Sequence, residues 1–207
     1  MTGNAALRGA RALESADGLD PTVDAVQGFV RRLLDDRPEL AAMLHGTQVG
    51  HALHPLLTDL PLGLWTGTGV LDLVGGERSH PAADRMLGLG VLLFFPTAFA
   101  GWADWSASDR AVRRVGLVHA LLNGTAAALY GASWVLRKAD HRAAGVVVSM
   151  SANVIVTVGG YLGGHMVYKL GAPTGGPEAL ERGRSDEEKA AAGPTSPTGQ
   201  EAHPIQL

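Results

Sequence analysis

The chain contains no cysteine. That removes disulfides, thiolate catalysis, Cys-ligated zinc and Cys-ligated iron–sulfur clusters together, and leaves any metal to histidine, carboxylate or methionine. A basic excess is missing too: 17 Lys and Arg stand against 20 Asp and Glu, a formal net charge of −3. Nucleic-acid binding needs a basic face, which this balance does not supply. The N-terminal stretch MTGNAALRGARALESADGLD has no apolar run of the kind a cleaved secretory signal carries, so the first spanning helix is expected to act as its own targeting signal. Also absent are a P-loop, a G-x-G-x-x-G following a strand, H-E-x-x-H and G-x-S-x-G.

What is present is unevenly distributed. Over 207 residues the hydrophobic share is 46%, and the mean hydropathy of +0.10 is that of an ordinary soluble domain. The averages hide a split. Charge concentrates in residues 1–50 and 170–207, while 55–169 holds long apolar stretches. Four segments, about 55–74, 86–103, 115–136 and 143–168, approach or exceed the roughly 20 residues that cross about 30 Å of hydrocarbon. Helices apolar nearly all round suit lipid or a very large core, and this chain is too short for the latter. Glycines inside these segments, among them Gly63, Gly67, Gly90, Gly101 and Gly163, let helix backbones approach closely in lipid.

Connections between the segments are short, which forces antiparallel neighbours. The expected architecture is therefore all-α: an integral membrane four-helix up-down-up-down bundle over 51–171. Residues 1–21 are expected to be flexible. An amphipathic lead-in helix falls within 22–50, its apolar face formed by Val23, Val26, Phe29, Val30, Leu33 and Leu34. The Pro-, Gly- and charge-rich tail, 172–207, is expected to be disordered. Counting Lys and Arg near helix ends favours both termini in the cytoplasm.

Alternating helix direction gathers His51, His54, Asp104, His119 and His165 on the side of the termini. His119 and His165 each sit roughly 6–8 Å inside a flanking basic residue, Arg114 and Lys169. Two histidines at matched depth can face each other. Polar residues also recur along three segments: Ser149, Asn153, Thr157, Tyr161 and His165 every four residues on the fourth; His119 and Asn123, sharing a face with Ala126 and Tyr130, on the third; and His54, Thr58, Thr68 and Asp72 on the first, in a row with Pro61 and Trp65 that alternates steps of four and three. Polar groups in hydrocarbon turn inward because unpaired ones cost several kcal/mol, about the amide transfer penalty. Imidazole ligates haem iron, zinc and copper. His54, His119 and His165 are accordingly the candidate cofactor ligands, and Asp59 and Asp104 join them as candidates for a metal. Asp72 reads either as an ion-paired group or as a plain interfacial carboxylate.

The run LHGTQVGHALHPLLTDLPLGLW (44–65), the LDL ending at Leu73, GWADW (101–105), LVHALLN (117–123) and YLGGHMVYKLG (161–171) together resemble a bacterial membrane-domain family known as domain of unknown function 2231. The resemblance covers about 46–171 and the lead-in. It implies a four-helix protein of the bacterial cell membrane. Some members of that family are fused to a Rieske iron–sulfur domain, which hints at electron transfer. This chain has no cysteine after Gly171, so a redox role would need a separate iron–sulfur or other redox protein as partner, or a haem among the helices.

Two functional readings follow. In one, b-type haem is bound by His119 and His165, or by His54 with one of them. In the other, the chain is a structural or partner-binding membrane component without a cofactor, and not an enzyme on its own. A hydrated metal or proton path through the His and Asp residues is a third.

Overall fold

The computed structural model describes residues 4–172. The expected disordered tail lies outside the described residues, apart from Ala172. Every described element is helical. Three short helices come first: α1 (Ala5–Glu14), α2 (Asp20–Asp35) and α3 (Pro38–Leu44). Four long ones follow: α4 (Leu53–Val74), α5 (His80–Ser106), α6 (Arg110–Lys138) and α7 (Arg142–Leu170). The expected spans fall inside α4–α7 and are extended by one to six residues at their ends, because charged or capping residues at the water boundary continue the helix.

Three stretches are long and apolar enough to cross a membrane: Glu77–Ser106, Arg110–Lys138 and Arg142–Leu170. The 22-residue α4 carries Asp59, Asp72 and three threonines, and falls short of the same measure. The outward surface of the long helices is apolar, with Leu60, Leu73, Leu92, Phe99, Leu121, Val135, Val147 and Val154 all exposed. Such a continuous apolar exterior suits a lipid solvent.

Inside, α4 packs on α5, α6 on α7, and α5 on α6. The central cluster is Trp65, Leu87, Ala126, Ala127, Tyr130, Ala152 and Val156, drawn from all four helices. Trp65 and Tyr130 stack with ring centroids 4.2 Å apart. Pro61, buried inside α4, has no N–H, which leaves the Leu57 carbonyl without its helical donor. Thr97 Oγ1 on α5 donates to that carbonyl at 3.3 Å.

Far from the termini, the ends of α4–α7 are tied by ions. Arg137 donates to Asp72 at 2.5 and 2.9 Å, and both side chains are fully buried. Arg142 bridges Asp72 and Asp84 at 2.8 Å each. Ser149 accepts from Arg137 at 2.9 Å. Two cations meet two anions, and each helix contributes at least one group. Of the two sequence readings of Asp72, the ion-paired one holds. Its partners were visible: α4 ends where α6 ends and α7 begins, so Arg137 and Arg142 lie at its depth.

At the opposite end the N-terminal helices dock on the bundle. Residues 5–14, in a stretch expected to be flexible, form α1, whose Ala10 and Leu13 pack against Val115 and Leu162. Asn4 caps this helix by accepting from the Ala6 N–H at 2.9 Å. Val23 of α2 is fully buried against Trp105 and Leu117. Arg114 donates twice to Asp20 at 2.7 Å and pairs with Asp17 at 2.5 Å, while Arg110 pairs with Asp24 at 2.6 Å.

The Arg114 hydrogen bond holds the Asp20 carboxyl below its ordinary value of 3.8. A carboxylate depressed in the folded state stabilises docking above its unfolded value and loses that contribution as pH falls through the folded one. Acidification below about pH 4 should therefore loosen α1 and α2 before the long helices. Amide exchange resolved along the chain should show faster exchange at 5–35 first, and equal protection of 5–35 and α4–α7 at low pH would contradict this.

Candidate functional site

Where α4 and α7 separate, on the side of the termini, the four long helices enclose a cavity of about 390 Å³. That is within the range of small-molecule sites. Its apolar wall includes Trp65, Phe94, Trp102 and Trp105, and its polar groups include His54, Asp59, Asp104, His119 and Asn123.

Both histidines are fixed by backbone. His54 Nδ1 lies 2.9 Å from the Thr97 carbonyl and His119 Nδ1 lies 2.8 Å from the Gly159 carbonyl. A carbonyl oxygen only accepts, so each Nδ1 carries a proton, and in the neutral ring each Nε2 keeps its lone pair. Glycine makes both placements possible. A Cβ at Gly101 would sit 2.8 Å from the His54 ring, and one at Gly163 would sit 3.1 Å from the His119 ring. Asn123 donates to the His119 carbonyl at 2.8 Å, with its amide also 3.3–3.4 Å from the ring nitrogens.

His165 goes elsewhere. Its Nε2 is 2.7 Å from Glu14 Oε1 on α1, and it does not line the cavity. Of the two glycines preceding it, Gly163 makes room for His119 instead, and Gly164 faces Tyr168. Asp104 lines the cavity and accepts from His45 Nδ1, at the end of α3, at 2.9 Å. His45 carried no assigned role in the sequence, since only the folding of α3 over the end of α5 brings the two together. Asp59 is exposed at the rim. Among the described residues, no three His, Asp or Glu side chains gather as a metal-binding group.

The polar rows divide. On α4, His54, Thr58, Thr68 and Asp72 are turned at least partly inward. On α7, Ser149 and His165 are buried, while Thr157 and Tyr161 are exposed. Tyr130 on α6 donates to Asn153 Oδ1 at 2.7 Å, joining the third and fourth rows.

Apolar outer faces, polar groups paired within, and an enclosed cavity near one end define a helical membrane protein. The chain belongs to the family described as predicted membrane protein (DUF2231), whose model matches residues 50–175. A search of curated proteins and a search of solved structures each found no match.

Proposed function

We propose that this chain is a multi-pass module of the bacterial cell membrane, with α4–α7 crossing up-down-up-down and both termini in the cytoplasm. Its working site is the cavity between His54 and His119, where a small molecule binds. One observation carries the reading: both Nδ1 protons go to backbone carbonyls, so two Nε2 lone pairs remain available at one cavity.

Haem b has matching axial donors in His54 and His119, and it would supply one-electron chemistry to a separate redox protein. Its anionic edge matches less well. Asp59 and Asp104 line the cavity, and no Lys or Arg does among the described residues. The donor set therefore fits iron, but the rim does not fit two propionates.

The second reading, a non-catalytic structural or partner-binding component, draws on the same hydrogen bonds. His54 ties α4 to α5, and His119 ties α6 to α7, each bond worth about 0.6 kcal/mol in a membrane protein.

Reduced-minus-oxidised absorbance of purified protein, with elemental analysis, separates the readings. A Soret band lost in both His54→Ala and His119→Ala identifies haem. With no band and no iron, haem is removed, and the cavity reading then requires that these variants lose binding of an added ligand. Variants that lose only thermal stability favour the structural component.

A further inference from the structure

The rim of the cavity says where its occupant comes from. Contact between α4 and α7 begins at the Asp72–Arg142 pair, passes Gly69 facing Asn153, and reaches the cluster of Trp65, Ala152 and Val156. Beyond it the cavity lies between the two helices. Of all the residues lining it, only Pro55, Asp59 and Gly160 are exposed, and these lie on α4 and α7. A Cβ at Gly160 would meet nothing within 4 Å. On the α5–α6 side the wall is closed: Trp105 and Val112 are buried, and α2 packs behind Trp105. The opening therefore faces sideways, between α7 and α4, the helix that the proposed topology also takes across the membrane.

The polar lining is equally selective. Thr58, Thr97, Ser108, Asn123 and Trp105 already donate to backbone carbonyls. What remains is a set of acceptors: His54 Nε2, His119 Nε2 with the Asn123 amide 3.4 Å away, the Asp59 carboxylate, and the Asp104 oxygen that His45 does not take. Acceptors bind donors, and a carboxylate rim disfavours an anion.

We propose that the cavity takes, through the gap between α4 and α7, a bilayer-dissolved amphiphile with a neutral hydroxyl-bearing aromatic head. The head lies among Trp65, Phe94 and Trp102, with its hydroxyl donating to His54 or His119. The tail leaves past Gly160 into lipid. This rests on the cavity being a binding site, and it replaces haem as the occupant.

The test uses the full chain in lipid nanodiscs at about pH 8, where an ordinary imidazole is neutral. Binding is followed by quenching of tryptophan fluorescence with para-nonylphenol, its methyl ether and untailed phenol. Para-nonylphenol should saturate, and the methyl ether should bind about tenfold more weakly, the scale of one net hydrogen bond. Gly160→Leu should weaken para-nonylphenol about tenfold and leave phenol unchanged, while Gly124→Leu, away from the cavity, should change neither.

Equal binding of phenol and ether overturns the head chemistry, and indifference to Gly160→Leu overturns the lateral entry. A haem band with no competition from para-nonylphenol overturns this inference while the cavity reading stands. Should no probe bind the parent and no cofactor co-purify, both fall together.

Discussion

Replacing Arg137 by Met should lower the stability of the folded protein by about 3 kcal/mol or more, the usual consequence of leaving a buried carboxylate short of its counter-charge. Asp72 has no exposed side-chain surface, so water cannot take over from the guanidinium. Arg142 stays on Asp72 at 2.8 Å, which keeps the loss toward the lower end of the roughly 3–5 kcal/mol range. The double variant Asp72→Leu/Arg137→Met removes both charges and should recover much of the loss, since a well-packed apolar pair often matches a buried ion pair. Thermal unfolding in detergent, followed by helical circular dichroism, reads both. An Arg137→Met protein as stable as the parent would mean that water reaches Asp72, and the clasp would then be only an end-of-helix decoration.

Trp65→Ala should cost about 3–5 kcal/mol, the range for truncating a buried aromatic residue. The indole is 2% exposed, stacks on Tyr130, and packs with residues of α5 and α7 in the central cluster. It also forms part of the cavity wall, so its removal joins new empty space to the cavity. Trp65→Phe should lose far less. The indole Nε1 has no hydrogen-bond partner, and phenylalanine therefore forfeits area but no bond. The same unfolding experiment orders the three proteins, and a Phe variant as damaged as the Ala variant would show that the indole N–H is needed after all.

Much of this was readable from residue spacing, and the failures have a geometric cause. On α4 the row from His54 to Asp72 advances by alternating fours and threes, an average of 3.5, which holds one face of a helix with 3.6 residues per turn. It proved to be an inward face from end to end. On α7 the row from Ser149 to His165 advances by strict fours. Each step overshoots a full turn by about 40°, so the row turns steadily off its starting face, and His165 at its end is buried only because α1 covers it through Glu14. Thr157 and Tyr161 are the residues carried out.

Neither depth nor direction was legible: α6 begins at Arg110 and α7 ends at Leu170, so His119 lies deeper than His165, and one faces Gly159 while the other faces Glu14. Nothing in the long helices announces that second partner, because it comes from α1, a segment too short and too polar to read as structure before its docking site is known. The charged clasp was legible in part. Asp72, Asp84, Arg137 and Arg142 fall on one side once helix direction alternates, but only packing makes them a pair and a bridge instead of four separate interfacial charges.

The clasp bears on the order in which the protein is made. Asp72 precedes Arg137 by 65 residues, and among the described long helices α4 alone falls short of the measure for crossing a membrane. In the proposed topology α4 reaches the membrane before its counter-charge exists, carrying a carboxylate that hydrocarbon rejects, and is expected to settle when α6 arrives with Arg137. A nascent chain halted after α5 should leave α4 extractable from the bilayer, and completion of α6 should lock it in place.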